Sequence, residues 1–193
     1  MKTKDRILEV ALTLYNAEGI RTVTTRHIAA QLGISAGNLH YHFKHTEDII
    51  QALFEGLIEE FDRLLSLLRM GTILDLDGFE KYLRQSFHIH RKYSFLFLHF
   101  VEIGNWIPAI RDRYFQLTQE REVQFLMLFQ HLSAIGVFRV LPSTGAQKDL
   151  VRLLFIVSDF WLAHNALTER HDGEEAFQQY KRAVESLFKP YMA

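Results

Sequence analysis

The chain has 193 residues and no cysteine, which excludes a disulfide framework and thiolate chemistry. It has three prolines, Pro108, Pro142 and Pro190. Each falls at the edge of a helical pattern rather than inside one, as a residue without an amide donor should. No stretch alternates apolar and polar residues over the length of a strand. There is also no uninterrupted apolar run of the ~20 residues a bilayer span needs. The most apolar stretch, 150–167, is broken by Arg152, Asp159 and His164. The start, Met1-Lys2-Thr3-Lys4-Asp5-Arg6, carries charges but no apolar signal core. A soluble, cytoplasmic chain with no membrane partner is the expectation. Chemistry is equally sparse. No phosphate-cradling glycine loop, nucleophile elbow or paired-carboxylate motif is present. The ten histidines form no metal set. His40/His42 and His88/His90 are two apart and point to different helix faces, while His42/His45 straddles a helix end without a third ligand. No catalytic residue, metal or cofactor is therefore expected, and the chain is read as a non-enzyme.

What the sequence does contain is helical periodicity. Residues 4–18 place Ile7, Leu8, Ala11, Leu12 and Tyr15 on one face and stop at Gly19. Thr24 can cap a second short helix, Gly33 allows a sharp turn, and Ser35 can cap a third. Ile28, Ala29 and Leu32 form one inner face, and Leu39 and Phe43 another at i, i+4. Two short capped helices with small inner faces make a helix-turn-helix. The outward residues of the second are Ala36, Gly37, Asn38, His40 and Tyr41, none of them acidic, a face suited to nucleic acid. A helical hairpin used only for packing is the plainer reading. Net charge is −1 overall, but residues 1–45 hold six Lys or Arg against three acids, a net of +3.

A long helix follows from Thr46 to Met70, about 35 Å at ~1.5 Å per residue. Gly71-Thr72 and Asp75-Leu76-Asp77-Gly78 should form a loop. Helices are then expected over 79–91, 94–104, 108–135, 146–170 and 174–188, with a loop at Leu141-Pro142-Ser143-Thr144-Gly145. The fold class is all-α with about nine helices. Residues 1–45 form a helix-turn-helix domain, and the long helix joins it to an all-helical domain over 46–193.

The helix-turn-helix stretch resembles the DNA-binding segment of the tetracycline-repressor (TetR) family of bacterial transcription regulators. The matching residues are Thr24-Thr25-Arg26, Ile28-Ala29, Leu32-Gly33-Ile34-Ser35 and Gly37-x-Leu39-x-x-His42-Phe43. The resemblance covers residues 5 to 55. It departs from the family pattern at His40, where Tyr is usual, and at Thr46, where Lys is common. It implies a dimeric regulator bound to palindromic double-stranded DNA and released by a small-molecule effector, more often a repressor than not.

Within that reading Arg26 is the first candidate for a base contact, since guanidinium pairs bidentately with a guanine edge, and Asn38 the second. Thr24, Thr25, Tyr41 and Lys44 would hold phosphates. Ser35 caps the recognition helix, Ala36 and Gly37 admit the backbone, and His40 completes the DNA-binding set. Of the 16 Phe, 15 lie after residue 45, as do both Trp. Aromatic side chains interspersed with polar ones describe an apolar ligand chamber, with Phe87, His88, His99, Glu102, Trp106, Phe125, Phe129, Phe155 and Asp159 as its candidates. A plain core is the alternative. The last two helices offer Val157, Trp161, Phe177, Tyr180, Val184 and Leu187 as a homodimer interface; the same side chains would also serve to close the protomer core. A DNA-bound adaptor whose C-terminal domain binds a protein partner is the alternative function.

Overall fold

The computed structural model describes residues 2–69, 76–139 and 143–192. Among these are ten helices and no strand. They are α1 (Thr3–Glu18), α2 (Thr25–Leu32), α3 (Ala36–His42), α4 (Thr46–Arg69), α5 (Leu76–Lys92), α6 (Ser94–Leu98), α7 (Phe100–Trp106), α8 (Pro108–Ala134), α9 (Thr144–Leu167) and α10 (Gly173–Phe188). Helix α5 begins at Leu76, so the part of the expected loop from Leu76 to Gly78 is helical. The loop residues Gly71-Thr72 and Leu141-Pro142 lie outside the described residues.

The tenth helix arises because the single helix expected over 94–104 is two. His99, at φ −120 and ψ 22, separates α6 from α7. Phe95, Leu96 and Phe97 are 1%, 0% and 4% exposed. All three lie in α6, whereas α7 buries only Ile103, so the two short helices turn faces of different width inward. Periodicity alone carries no sign of that break.

The chain forms two compact units. They do not follow the boundary expected at residue 45. The first unit comprises Met1–Glu60 and Tyr93–Arg111, the second Phe61–Lys92 and Asp112–Ala193. Helices α4 and α8 each contribute residues to both.

In the first unit, α1 presents Ile7, Ala11 and Tyr15 inward, each at most 1% exposed. Ile28, Ala29, Leu39 and Phe43 from the helix-turn-helix are buried, as are Ile49, Ile50, Leu53 and Phe54 of α4. Each Ile, Leu or Phe among them contributes roughly 1.5–3 kcal/mol through burial. The second segment is tied in by polar contacts. Asn16 Oδ1 accepts from the Phe95 amide and from Ser94 Oγ, both at 3.0 Å. The Tyr15 and Phe95 rings lie 5.2 Å apart. The Tyr93 hydroxyl donates to Glu60 at 2.9 Å. A Cβ at Gly56 would lie 3.3 Å from that hydroxyl, so the glycine leaves Tyr93 its place.

The second unit has an aromatic core. The Phe87 ring lies 5.3 Å from Tyr180, 5.8 Å from Phe177 and 5.9 Å from Trp161. Phe129 meets Phe138 at 5.7 Å and Phe188 at 6.0 Å. Arg84 closes the edge. Its guanidinium lies 3.8 Å from the Phe177 ring centroid and forks onto Glu174 at 2.6 and 3.0 Å. That fork holds the Glu174 carboxyl down at about 2. Helix α9 is long and apolar enough to cross a bilayer by length and composition alone, yet here it packs against α10 and α5.

Helix α9 ends at Leu167, short of the expected 170, and the chain leaves it through Arg170 at φ +56. The Arg170 amide donates to the Asn165 carbonyl at 2.9 Å, closing the helix end. A left-handed conformation costs a non-glycine residue roughly 1–2 kcal/mol. Arg170→Gly is therefore expected to raise stability by about 0.5–1 kcal/mol after the entropy of a freer unfolded chain is deducted. A denaturant midpoint that falls instead would show that the arginine side chain contributes more than its backbone strain costs.

Candidate nucleic-acid interface

The geometry of the helix-turn-helix follows from its caps. Thr24 Oγ1 accepts the His27 amide, and the Thr24 amide returns to His27 Nδ1, each at 3.4 Å. Gly33 takes φ +67, ψ 29. Its amide donates to the Ala30 carbonyl, and that of Ile34 to the Ala29 carbonyl, both at 3.1 Å. This is the left-handed helix end that glycine favours. Ser35 Oγ then accepts the Asn38 amide at 3.1 Å. Leu39 and Phe43, 1% and 4% exposed, anchor α3 inward.

With those two side chains fixed, Ala36, Gly37, Asn38, His40 and Tyr41 are exposed, Tyr41 at 86%. Gly37 is informative. The nearest atom a Cβ there would meet is Ser35 Oγ at 3.9 Å, so packing within the unit does not require glycine. Inside a helix glycine costs about 1 kcal/mol relative to alanine. A glycine there leaves the helix backbone open to close approach from outside the chain. Thr24, Arg26, Ser35 and Lys44 are also exposed, and Thr25 is half-buried. Residues 19–45 contain no acid. The adjacent acids are engaged. Asp48 Oδ2 accepts the Lys44 and His45 amides at 3.0 and 2.9 Å, and Glu47 accepts Trp106 Nε1 at 3.2 Å. Arg21 is turned to Glu102 at 2.7 Å, holding that carboxyl below its usual range.

The nine residues expected around a ligand divide between the units. His99, Glu102 and Trp106 belong to the first unit, the other six to the second. His99 Nδ1 lies 3.5 Å from Glu102. In the second unit Phe87, Phe125, Phe129 and Asp159 are buried, Phe155 is half-buried and His88 is exposed. The polar partners of Asp159 were missed. Tyr114 donates to Asp159 Oδ2 at 2.7 Å, and burial followed by that carboxylate pushes its phenol up. His90 Nδ1 donates to the Ser86 carbonyl at 2.8 Å, leaving Nε2 3.5 Å from Asp159 Oδ1. Ser86 and Tyr180 share a hydrogen bond at 3.1 Å. The i, i+4 spacing of Ser86 and His90 was the available signal.

The expected dimer residues divide by burial within the protomer. Phe177, Tyr180 and Val184 are 1–2% exposed. They form the inner face of α10, because Phe87, Trp161 and Arg84 already occupy their surroundings. Val157, Trp161 and Leu187 are half-buried. The exposed apolar side chains of α9 are instead Leu153, Ile156, Phe160 and Leu167, at 47%, 52%, 39% and 84%. Their spacing puts them on one helix face.

Comparison with known proteins is consistent across the chain. Residues 7–53 match a family model described as bacterial regulatory proteins, tetR family. Residues 58–193 match one described as bacterial transcriptional repressor, TetR. The chain is 32% identical over 57 residues to the transcriptional repressor KstR2 of Rhodococcus jostii, covering 30% of this chain and 28% of that protein. It is 20% identical to the biofilm operon icaADBC negative regulator IcaR of Staphylococcus aureus, covering 98% of each. Among solved structures, a TetR-family regulator of Marinobacter aquaeolei superposes with a TM-score of 0.87 at 28% identity, covering 100% of this chain and 92% of that one. The ketosteroid regulator KstR2 of Mycobacterium tuberculosis has the same fold, with a TM-score of 0.65 at 18% identity, covering 100% and 96%.

Proposed function

The chain belongs to the TetR family of DNA-binding bacterial transcription regulators, and we propose that it is a cytoplasmic homodimeric repressor of a palindromic operator, released by an apolar or aromatic small molecule. The observation that carries the DNA half is the outer face of α3, with its exposed Asn38, His40 and Tyr41 around a Gly37 that internal packing does not require. Arg26 reads a base and the neighbouring Thr24, Thr25, Tyr41 and Lys44 hold phosphates. One recognition helix reads few base pairs, and a two-fold dimer doubles them. The exposed apolar face of α9 supports that dimer.

The ligand half rests on the second unit, where Phe87, Phe125 and Phe155 accompany the buried Asp159. A ligand there alters DNA affinity only by its differential affinity for the DNA-bound and released states. Helix α4, which runs through both units, is the covalent route for that coupling. The adaptor reading draws on α8, whose Phe115, Val123 and Met127 are 63%, 53% and 65% exposed. An apolar face of this kind marks partner surfaces.

Selection of duplexes from a random pool, at fixed near-physiological salt, tests the proposal. Enrichment of a palindrome is the expected outcome, and its half-site spacing would give the separation of the recognition helices. Enrichment of a single half-site would overturn the dimer, and no enrichment would overturn the sequence-reading role.

A further inference from the structure

Four of the ten histidines lie within the nineteen residues from His27 to His45. His27, His40 and His45 are exposed and His42 is half-buried, its ring edge-on to Tyr41 at 5.2 Å. They are not equivalent. His27 Nδ1 accepts the Thr24 amide, so a proton on that nitrogen would remove a cap of α2. The rings of His40 and His45 make no hydrogen bond or ion pair among the described residues, and only the His45 backbone is engaged, by Asp48.

The first unit carries charged groups on several elements. From α1, Lys4 Nζ lies 5.5 Å from the Phe43 ring centroid. From α2 come Arg26 and His27, and from the turn after α3 comes Lys44. From α4 come Glu47 and Asp48, the first holding the Trp106 indole and the second capping two amides. Among the described residues no acid lies within hydrogen-bond or ion-pair reach of the His40 or His45 ring, and Glu47 and Asp48 are engaged elsewhere. A DNA phosphate would be the first uncommitted anion they meet, and an anion within hydrogen-bond reach favours the charged imidazole.

We propose that His40 and His45 bind DNA phosphate in their protonated form, so that operator binding takes up protons and tightens as pH falls. This rests on the DNA-binding reading above. The sign follows from linkage. If the bound state holds more protons than the free state, affinity rises as pH falls. Each added phosphate contact also steepens the dependence on salt. The two positions differ in kind, since His40 replaces a residue of the recognition helix itself and His45 lies on the turn beyond it.

The test uses the full chain and the duplex selected above, with affinity measured at about pH 6 and about pH 8 at constant monovalent ionic strength. Binding about tenfold tighter or more at the lower pH is expected. The double variant His40→Gln, His45→Gln should lose most of that ratio while remaining folded by circular dichroism. His40→Arg should restore tight binding at the higher pH. Binding heats compared in buffers of different ionisation enthalpy should report proton uptake that the double variant lacks. Equal affinity at both pH values would overturn the proposal while leaving DNA binding intact. A ratio unchanged in the double variant but abolished by His90→Gln would also overturn it, by moving the titration to the second unit. Failure to bind any duplex at either pH would bring down the DNA-binding reading as well.

Discussion

Phe87→Ala is expected to cost about 3–5 kcal/mol of stability, the range for a fully buried aromatic truncated to a methyl group. Phe87 is 4% exposed, and its ring is shared by Trp161, Phe177 and Tyr180 from two further helices. These neighbours cannot close the space. Phe177 is covered by Arg84, whose guanidinium is forked onto Glu174, and Tyr180 is tied through its hydroxyl to Ser86. The lost transfer energy and an unfilled cavity therefore add. A domain of this size has about 5–15 kcal/mol in total, so a large part of its margin would go. Phe87→Leu, which keeps most of the volume, should cost less, about 1–2 kcal/mol. Equilibrium unfolding in denaturant measures both, and a loss below about 1 kcal/mol for the alanine variant would mean that the aromatic core tolerates repacking.

Arg26→Ala is expected to weaken operator binding by about 1–3 kcal/mol per recognition helix and to relax base preference at one position of each half-site. Stability should barely change. Arg26 is exposed, and among the described residues its guanidinium has no hydrogen-bond or ion-pair partner to lose. Arg26→Lys separates charge from shape. It keeps the cation but loses the planar fork that matches a guanine edge, so it should restore part of the affinity and little of the preference. Unchanged affinity and unchanged preference in the alanine variant would remove Arg26 from the base-reading set and leave Asn38 as the candidate.

Much of the fold was legible because it is local. The Thr24 and Ser35 caps, the left-handed Gly33 and the i, i+4 pair Leu39/Phe43 are properties of neighbours in sequence, and all are present. Pro108 begins α8, and Gly136 follows its end at φ +80. What escaped depends on contacts distant in sequence. The break at His99 separates α6, buried at Phe95, Leu96 and Phe97, from α7, buried only at Ile103. The inward turn of Phe177, Tyr180 and Val184 is set by Phe87 and Arg84 on another helix. A helical apolar face looks the same whether it meets its own chain or a second copy. Asp159 was recognised as a polar residue among aromatic ones, but Tyr114 lies 45 positions away in sequence, a pairing no local spacing reveals. The exposed residues of α3 were readable because their neighbours define which side is inside.

The division of the first unit into Met1–Glu60 and Tyr93–Arg111 has a consequence at the ribosome. Helices α1 to α3 emerge early, but Tyr15 and Asn16 have no Phe95 to meet until a later segment has been made. At ~5–20 residues per second, the interval between residues 60 and 111 lasts roughly 3–10 s. During it the Tyr15 ring and the Asn16 side chain lack the Phe95 partner of the finished unit. Synthesis order, rather than final stability, then sets when the first unit is complete, and it leaves that interval as the moment when a chaperone has most to cover.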